Sequence, residues 1–588
     1  MTTHCSLRIS LYCLLIFFIV TGFGGPAWAE ESSNPANNWQ DNPFGYTVTR
    51  DPSGAVPSGY AEWAAAHPVE PFEYRQVARQ ESVNKGTDAN EFAIIVNSSL
   101  LASIQTSIDQ YLLDLTAAGF TGTVYTMSGG TPDSLRAFLQ TLYAASVVGA
   151  VLIGDLPVAW YEADCWDPVE HEEFPCDLFY MDMDGTWEDL DIDGKYDYHT
   201  GDLTPEIWVG RLTASPLSYG GSSEAALINN YFDKNHRYRT GQMIYKNRGL
   251  AFIDDDWCTS GWQNDLGRAY DSVVSITDEY TTTAPNYKNQ FVASYESVLL
   301  CAHSSPNTHW FKTPADTWTT IDYDEIVDYD PMAGFYNLFN CSGARYTSSN
   351  YLGGWYIFRD DYGLAAVGSA KTGSMLEFQY FYPSWDQGKT FGQAFANWFT
   401  TVGNDGYAGW EICWYYGMTL CGDPTLTKSP YTLPEIMTES IDDAMLNVEF
   451  SYSFEAQGGI APYSWSIVSG SLPSGITLDE SAGSISGMPT VVGDYNFTLR
   501  VDDANSPSFA ALHTYEMSVN YVCGDANGDL KINIADAVYI INYIFSSGGP
   551  SYPVEAMDGN CDGSRNIGDA IYMVNHIFKS GPAPCCPQ

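Results

Sequence analysis

Short apolar runs alternate with amphipathic stretches over most of this chain, from Glu91 to about Lys428. The run EFAIIVN predicts a buried strand, residues 98–118 show helical periodicity, and GTVYTM predicts a second strand. A further helical pattern over residues 132–145 leads into the apolar run VGAVLIGD. Strands that alternate with helices predict a parallel sheet covered by helices on both faces. In such sheets the functional side chains gather at the carboxyl ends of the strands.

The α/β pattern continues through the runs EIWVGRL, YESVLLCAH, AGFYNLFNC and GLAAVGSA, each of which leads into polar or small residues. Beyond Tyr431 the helical periodicity disappears. Alternating apolar and polar positions, separated by turns rich in Gly, Pro and Ser, then continue to about Asn520, which is typical of a small β-sandwich. We therefore expect an α/β domain over residues 91–428 and a sandwich over residues 432–521.

The N-terminus has the pattern of an export signal. Arg8 precedes the apolar run from Leu11 to Val20, and the small residues of Ala27-Trp28-Ala29 follow, so residues 1–29 predict a cleaved signal peptide. The run is shorter than the roughly 20 residues needed to span a bilayer, and we expect a secreted protein with no membrane span. Residues 30–90, rich in Pro, Asn, Ser and Gly, predict a propeptide or an irregular cover, and the sequence leaves its removal open.

Charge narrows the range of partners. The 588 residues include 25 Lys and Arg against 72 Asp and Glu, a net charge of −47, which argues against nucleic acid and anionic membranes as partners. Calcium ions and basic protein surfaces fit this charge better. Of the 13 cysteines, Cys5 and Cys13 fall in the predicted signal, which leaves 11, so at least one thiol stays unpaired. Candidate disulfides are Cys165 with Cys176, and Cys523 with Cys585 or Cys586.

Two stretches near the C-terminus repeat each other, since DANGDLKINIAD precedes AVYIINYIF and DGNCDGSRNIGD precedes AIYMVNHIF. In each 12-residue loop, oxygen-bearing side chains occupy positions 1, 3, 5, 9 and 12. This spacing bends a chain around one calcium ion, with a backbone carbonyl at position 7. The two predicted calcium sites comprise Asp525, Asn527, Asp529, Asn533 and Asp536, and Asp558, Asn560, Asp562, Asn566 and Asp569.

The segment 523–588 resembles a type I dockerin, a small α-helical module with a duplicated calcium loop. The resemblance implies a cohesin partner on a scaffold or cell surface, as in a cellulosome-type assembly. Leu530 stands at position 6, where Gly is usual, so we expect strain in the first loop. Ile534-Ala535 and Ile567-Gly568 occupy the positions that often determine cohesin choice. The preceding sandwich resembles the Ig-like repeats of bacterial surface proteins, which implies a spacer or binding module.

A histidine and a cysteine follow two consecutive apolar strands of the α/β domain. His303 ends the run SVLLCAH and Cys341 ends GFYNLFNC. A cysteine nucleophile needs an imidazole to take its proton and N–H groups to hold the oxyanion that forms. If the two strands are neighbours in a parallel sheet, both side chains reach one substrate carbonyl. The backbone N–H groups of Ser304 and Cys341 are then the expected oxyanion donors.

With this His–Cys order, residues 91–428 resemble the gingipain peptidases, relatives of caspases and legumains. The motifs PEIWVGRLTA, HSS, NCSGARY, GLAAVGSAKTG and CGDPTLTK carry the resemblance. It implies a caspase-like parallel-sheet fold and a cysteine endopeptidase, with His303 as general base and acid and Cys341 as nucleophile. Two positions depart from the family pattern. Ser304 follows the histidine where His-Gly is usual, and Asn340 stands where a small residue usually precedes the cysteine. The side chain of Ser304 is expected to narrow the oxyanion hole.

Acidic residues upstream allow two interpretations. The resemblance places Asp202 where gingipains carry a carboxylate that binds basic substrate side chains, but calcium ligation explains it equally well. The nearby segment DMDGTWEDLDIDGKYD spaces its carboxylates regularly between glycines, which favours a stabilising calcium loop over a catalytic carboxylate pair. That possible second calcium loop comprises Asp189, Asp191, Asp193 and Asp197.

The first hypothesis is therefore a secreted bacterial cysteine endopeptidase that hydrolyses extracellular proteins and is tethered by a calcium-dependent dockerin to a cohesin-bearing scaffold or surface. The alternative is a catalytically inactive peptidase-like protein with a binding or structural role. A carbohydrase, suggested only by the enzymes that dockerins often accompany, lacks a recognisable carboxylate pair. Selective labelling of Cys341 by a thiol-directed probe distinguishes the first two hypotheses.

Overall fold

The computed structural model describes residues 45–82, 90–166, 170–505, 508–551 and 553–585. The predicted signal peptide, residues 30–44 and Cys586 lie outside these ranges. The first domain contains the strands β1 Glu73–Gln80, β2 Asn90–Asn97, β3 Phe120–Ser128, β4 Val147–Ile153, β5 Trp160–Cys165, β6 Glu170–Pro175, β7 Thr186–Glu188, β8 Tyr198–Thr200, β9 Trp208–Leu212, β10 Gly249–Ile253, β11 Val273–Ile276, β12 Tyr295–Cys301, β13 His303–Ser304, β14 Thr308–Lys312, β15 Trp318–Asp322, β16 Ala333–Phe339, β17 Ala365–Ser369 and β18 Met418–Gly422.

Eleven of these strands form one large sheet, with the order β1-β3-β2-β4-β9-β18-β17-β16-β12-β10-β11. One group, β2, β3, β4 and β9, is parallel, and a second, β10, β11, β12, β16 and β17, is also parallel. Between them, β18 runs antiparallel to β17 and meets β9 at a single bridge between Cys421 and Arg211. The predicted α/β sheet is thus confirmed, with antiparallel strands at β1 and β18 that the sequence pattern did not predict.

Helices cover this sheet. They are α1 Tyr60–Ala66, α2 Leu101–Ala117, α3 Pro132–Ala144, α4 Glu224–Arg239, α5 Gln263–Leu266, α6 Ala284–Gln290, α7 Tyr323–Tyr329, α8 Leu352–Phe358, α9 Tyr382–Asp386, α10 Phe391–Val402 and α11 Gly409–Tyr415. Both helices predicted from periodicity are present, as α2 and α3. Helix α3 begins where the Thr131 hydroxyl accepts the N–H of Ser134, and Pro132 starts its first turn. Helix α2 buries Ile104, Ile108 and Leu115 against the sheet, as its apolar spacing requires.

The second domain is the predicted β-rich region. Its strands are β19 Glu435–Ile436, β20 Ala444–Met445, β21 Phe450–Ser453, β22 Ala456–Gln457, β23 Ser464–Gly470, β24 Ile476–Asp479, β25 Ser484–Gly487, β26 Gly493–Asp502 and β27 Ala510–Asn520. A four-stranded sheet, β20-β27-β26-β23, and a three-stranded sheet, β21-β25-β24, contribute to one core that includes Trp465, Ile485 and Phe497. The alternation along β26 places Phe497, Leu499 and Val501 inside this core.

The C-terminal segment has one helix after each acidic loop, α12 Ile534–Phe545 and α13 Ile567–Lys579. The two helices share a small core that includes Ile540, Met557 and Met573. Asn533 and Asn566 cap them, since each side-chain oxygen accepts an N–H from the first turn. The duplication in sequence is therefore a duplication in structure.

The cysteine pairing differs from the expectation. Cys165 bonds to Cys413, 248 residues away, and Cys176 is a buried thiol, so the predicted Cys165–Cys176 bridge is wrong. Cys585 bonds to Cys561, which excludes it as the partner of Cys523. The Cys165–Cys413 bridge joins β5 to α11, two elements that come together only in the folded domain. Separately, no helix among the described residues has both the length and the apolarity to cross a membrane.

Candidate active site

His303 and Cys341 lie at the same edge of the large sheet. Strands β12 and β16 are parallel neighbours, with Cys301 opposite Phe339 at their carboxyl ends, and each candidate residue follows two positions later. Both are buried, with His303 5% and Cys341 1% exposed. The expected neighbouring of the two strands is therefore confirmed, while the catalytic roles of the two residues stay predictions.

The thiol of Cys341 is free and hydrogen-bonded. It is not part of a disulfide, and it donates a hydrogen bond to the carbonyl oxygen of Ser304. Burial raises the pKa of the Cys341 thiol, and the negative charges of Asp51 and Glu172 raise it further. A thiolate would therefore form here only when a base takes the proton directly.

Both ring nitrogens of His303 are engaged. Nε2 lies 2.9 Å from Oδ2 of Asp256, and Nδ1 lies 3.1 Å from the backbone N and 3.0 Å from the backbone O of Arg50. Since a carboxylate can only accept, Nε2 carries hydrogen and donates to Asp256. In the neutral ring the lone pair is then on Nδ1, where it accepts the N–H of Arg50. The atom that would serve as base is thus occupied by the N-terminal segment.

Asp256 is the third member of this site, and the sequence analysis did not identify it. It follows β10, which pairs with β12, so its carboxylate comes to the same sheet edge as His303. Burial opposes its ionisation, but hydrogen bonds from His303 and Lys312 outweigh burial and lower the pKa of Asp256. The ionised carboxylate fixes the ring orientation of His303, and Trp257 packs against the same ring with a centroid separation of 4.8 Å.

The segment 45–59 lies across the site. The carbonyl of Thr47 accepts the indole N–H of Trp257 at 2.8 Å, and the hydroxyl of Thr49 accepts the N–H of Gly373 at 3.1 Å. The Arg50 guanidinium forms an ion pair with Glu170 on β6. Together with the contact between Arg50 and His303, these bonds bind the segment to both walls of the site.

Beside Cys341 the segment leaves a cleft of about 280 Å³. Its lining comes from the segment 45–59, the β5–β6 hairpin and the loops after β13, β16 and β17, namely Asp51, Ala55, Val56, Pro57, Gly59, His171, Glu172, Glu173, Ser305, Pro306, Cys341, Ser342, Arg345, Lys371 and Thr372. The cleft is therefore a place for a side chain next to the candidate nucleophile.

The other predicted members of the site have distinct places. Ser304 lies on β13, paired with His309 of β14, and its hydroxyl contacts His309 Nδ1 at 2.8 Å. Burial lowers the pKa of His309 to about 3, so that ring is neutral and structural. Oxyanion binding by the N–H groups of Ser304 and Cys341 stays a prediction. Asp202 is exposed, accepts the N–H and hydroxyl of Thr204, and is not among the residues that line the cleft.

The acidic loop before β8 is folded around its own backbone. Asp189 accepts N–H groups of Ile192, Asp193 and Gly194, and Asp197 accepts that of Leu190, while Asp191 is exposed. The ammonium of Lys195 contacts Asp193 and lies 2.9 Å from Glu162, so a cation of the chain already compensates part of the negative charge of this cluster. A second group, Asp182, Asp184 and Glu206, has ligand atoms within 4.8 Å of one another. Calcium binding by this loop stays a prediction.

Each of the two C-terminal loops folds around the side chain of its first aspartate. Asp525 accepts the N–H groups of Gly528, Asp529 and Leu530, and Asp558 accepts those of Asp562 and Gly563. Position 6 adopts the left-handed conformation in both loops, with φ of +64° at Leu530 and +80° at Gly563. The strain expected at Leu530 is therefore present, since L-residues disfavour this region. Carboxylate and amide oxygens at positions 1, 3, 5, 9 and 12 are the hard donors that calcium prefers.

Comparison with protein families assigns three domains in this order. The model of "Peptidase family C25" matches residues 87–329, that of "Putative Ig domain" matches 437–520, and that of "Dockerin type I domain" matches 523–578. The first match includes Asp256 and His303 and ends before Cys341. The chain thus carries a peptidase C25 domain, then an Ig domain, then a type I dockerin, as the resemblances implied.

Similar solved structures cover only short parts of the chain. A "putative alpha-galactosidase" from Bacteroides fragilis NCTC 9343 is 26% identical over 16% of this chain and 19% of its own, with a TM-score of 0.14. The protocadherin GammaB4 extracellular domain is 16% identical over 19% of each chain, with a TM-score of 0.15. Mouse cadherin-23 EC22-24 is 22% identical over 16% of this chain and 34% of its own, with a TM-score of 0.13. No curated protein matches the chain.

Proposed function

We propose that the α/β domain is a cysteine endopeptidase of the gingipain type, with a caspase-like fold, in which Cys341 is the nucleophile and His303 the general base and acid. One observation carries this proposal: the two residues follow adjacent parallel strands at one sheet edge, and Asp256 orients the histidine. The match to peptidase family C25 supports cysteine peptidase activity in general.

In the proposed reaction, His303 takes the thiol proton and the sulfur attacks the peptide carbonyl carbon. The developing oxyanion accepts the N–H groups of Ser304 and Cys341. His303 then gives its proton to the leaving amine, and the C–N bond breaks to leave a thioester. Water, deprotonated by the same ring, hydrolyses the thioester and restores the thiol. Asp256 stays ionised throughout and holds the tautomer in which Nδ1 is the base.

Residues 45–59 are proposed to be an inhibitory propeptide. The supporting observation is that the Arg50 N–H occupies the Nδ1 lone pair of His303, which the reaction requires. Part of the segment offers access for cleavage, since Val56 is 91% exposed. A cleavage site for an unrelated protease, inserted after Ala55, tests this proposal. Cutting there should raise both peptide hydrolysis and the alkylation rate of Cys341. An unchanged rate after complete cutting contradicts it.

The C-terminal domain is proposed to attach the peptidase to a cohesin-bearing scaffold or surface outside a bacterial cell. Type I dockerin domains bind calcium, and here the ten Asp and Asn side chains at the repeated positions would hold two ions that shape the loops for docking. Solvent-exposed apolar residues recur on one helix at spacings of three and four, as a docking surface requires. They are Ile534, Val538, Ile541 and Phe545.

The deciding experiment uses the full chain, purified with calcium and a reductant, on a mixed peptide library. Hydrolysis that is lost in Cys341→Ala and kept in Cys421→Ala supports the peptidase. Cys421 is the matched control because it is also a buried thiol with a raised pKa, on a strand outside the cleft. Equal activity in Cys341→Ala refutes the assignment. If neither hydrolysis nor selective alkylation of Cys341 occurs, the alternative of an inactive binding protein is the better assignment.

A further inference from the structure

The cleft beside Cys341 contains an arginine that lacks an anionic partner. Arg345 follows the nucleophile by four residues and is only 3% exposed. Its Nη1 donates to the carbonyl of Ala370 at 2.9 Å, and its Nη2 to those of Ser58 and Glu173 at 2.9 and 3.0 Å. Its Nε is buried without a hydrogen-bond partner, and among the described residues no carboxylate oxygen comes within 4.0 Å of the guanidinium. The guanidinium also lies over the ring of Trp160, 5.2 Å from its centroid, so its direct contacts are carbonyl oxygens and an aromatic face.

A second buried cation lies next to it. Lys371 is 2% exposed, and its ammonium contacts the carbonyls of Thr372 and Cys413. The nearest carboxylate oxygen, on Glu172, is 3.4 Å away. Burial lowers the pKa of Lys371 and lowers that of Arg345 to about 10, and the nearby glutamates offset this only in part.

The two carboxylates on this wall are already committed to other donors. Glu172 accepts the indole N–H of Trp166 at 3.1 Å and the N–H of Thr372 at 3.2 Å, in addition to Lys371. Glu173 lies 3.2 Å from the ammonium of Lys195 and accepts the N–H of Tyr60 at 2.8 Å. Both carboxylates of this wall therefore already have donors within the chain.

The segment that covers the site offers the cleft an acidic side chain. Asp51 lines the cleft, and its charge acts on the Cys341 thiol. Its Oδ1 is bonded within the segment to Ser53, but its Oδ2 is buried and has no hydrogen-bond partner. Asp51 thus brings a carboxylate into the lining of the cleft, whereas Asp202 is not among the lining residues.

We infer that this cleft selects peptide substrates with an aspartate or glutamate beside the scissile bond, with Arg345 and Lys371 as the specificity-determining cations. The inference rests on the proposed peptidase function. A substrate carboxylate would be the first carboxylate in direct contact with Arg345 and would accept its unused Nε hydrogen. Displacement of the segment would also release the Nη2 hydrogen now given to Ser58. Charge-assisted bonds from a guanidinium to a carboxylate are among the strongest hydrogen bonds in proteins.

The test uses fluorogenic peptides that differ at one position, Asp, Asn or Lys, with the full chain and with the chain cut after residue 55. The Asp peptide should be hydrolysed at least about tenfold faster, in kcat/KM, than the Asn or Lys peptide. Lys371→Met should reduce the Asp to Asn ratio several-fold while hydrolysis of the Asn peptide persists. Arg345→Lys should keep a preference for Asp that Arg345→Met loses. Arg268→Met, which removes an exposed cation paired with Asp265, should leave the ratio unchanged.

Because both rates of a ratio come from one preparation, partial misfolding of a variant lowers both rates and leaves the Asp to Asn ratio unchanged. If Arg345→Met does not fold, Lys371→Met still tests the inference. Faster hydrolysis of the Lys peptide, or equal rates for Asp and Asn, overturns the inference while the peptidase assignment stands. No hydrolysis of any peptide, together with no alkylation of Cys341, refutes the proposed function and the inference with it. Hydrolysis of the Asp peptide by Cys341→Ala likewise refutes both the proposed function and the inference.

Discussion

At the scale of single residues, the proposed chemistry depends on which proton each ring nitrogen of His303 carries. Asp256 fixes that choice, because its carboxylate accepts from Nε2 and leaves the lone pair on Nδ1. Lys312 supports the carboxylate from the other side at 2.9 Å. Asp256 therefore acts through His303 and is a positioning residue.

Asp256→Asn tests this role. An amide can present its N–H to Nε2, which favours the wrong tautomer, so we expect kcat to fall by roughly 10- to 1000-fold while KM changes little. Asp255→Asn is the matched control, since it removes the neighbouring carboxylate without a contact to the ring. An equal loss in both variants would mean that the charge of the turn, rather than the orientation of His303, is what matters.

Asp254 gives a pH dependence of stability. Burial raises its pKa from 3.8 to about 8, so the folded protein keeps this proton while the unfolded chain loses it. Between about pH 4 and pH 8 the folded state binds more protons, and the free energy of unfolding falls as the pH rises, by at most about 1.4 kcal/mol per unit. Asp254→Asn removes this loss. Its thermal midpoint should exceed that of the native chain at pH 8, with a difference that shrinks toward pH 5.

The control for Asp254→Asn is the same comparison of thermal midpoints at low pH. Near pH 4 both forms carry an uncharged side chain at position 254, so their midpoints should converge. Midpoints that differ by the same amount at every pH would show that the substitution acts through packing alone.

The sequence identified His303 and Cys341 because each follows an apolar strand, a local signal. Asp256 could not be identified in the same way. It is one of three successive aspartates, and its relevance depends on β10 lying beside β12, a pairing that sequence order does not reveal. The sequence left the role of Asp202 open for the same reason, because the position of a loop relative to a distant strand is set by tertiary packing.

At the scale of elements, the N-terminal segment is the part that changes the site most. Its ion pair between Arg50 and Glu170 is about half-exposed, and such pairs contribute about 0–1 kcal/mol. Arg50→Ala should therefore raise the initial hydrolysis rate by up to about fivefold. Glu170→Gln breaks the same pair from the other side and should give a similar increase. If the two increases add in the double variant, they do not arise from this pair.

The calcium loops allow a reciprocal experiment. Leu530 holds a left-handed conformation that costs an L-residue about 1 kcal/mol, so Leu530→Gly should tighten calcium binding of the first loop by roughly fivefold. Gly563→Leu places the same strain in the second loop and should weaken it. Calcium titration of the full chain, followed by circular dichroism and calorimetry, measures both. A weaker first loop in Leu530→Gly contradicts the assignment of strain.

Elements with a clear period were predictable, and those that depend on partners were not. Helices α2 and α3 and the strands around them follow from apolar spacing. Strand β18 is buried on both faces, like its parallel neighbours, so the hydrophobic pattern does not reveal that it runs antiparallel. The β5–β6 hairpin is held by the disulfide between Cys165 and Cys413, which are 248 residues apart, and no local sequence pattern predicts this pairing.

At the scale of the whole molecule, the described residues form three separate hydrophobic cores, one for each domain. The first is large and contains several buried tryptophans. The third contains six fully buried residues, including Ala526 and Ile540, and is too small to be stable on apolar burial alone. We therefore expect the C-terminal domain to depend on its calcium ions for folding and the α/β domain to depend on its core.

Removal of calcium from the full chain tests this division. Chelation should abolish the helical signal of α12 and α13 and cohesin binding, because the acidic loops repel themselves once the ions are gone. Peptide hydrolysis by the α/β domain should survive if that domain needs no ion. If chelation also lowers the thermal midpoint of the α/β domain, a further ion acts there, and the test extends to its two acidic clusters. Asp184→Asn should then remove that calcium dependence, whereas Asp193→Asn should leave it, because Lys195 already compensates Asp193.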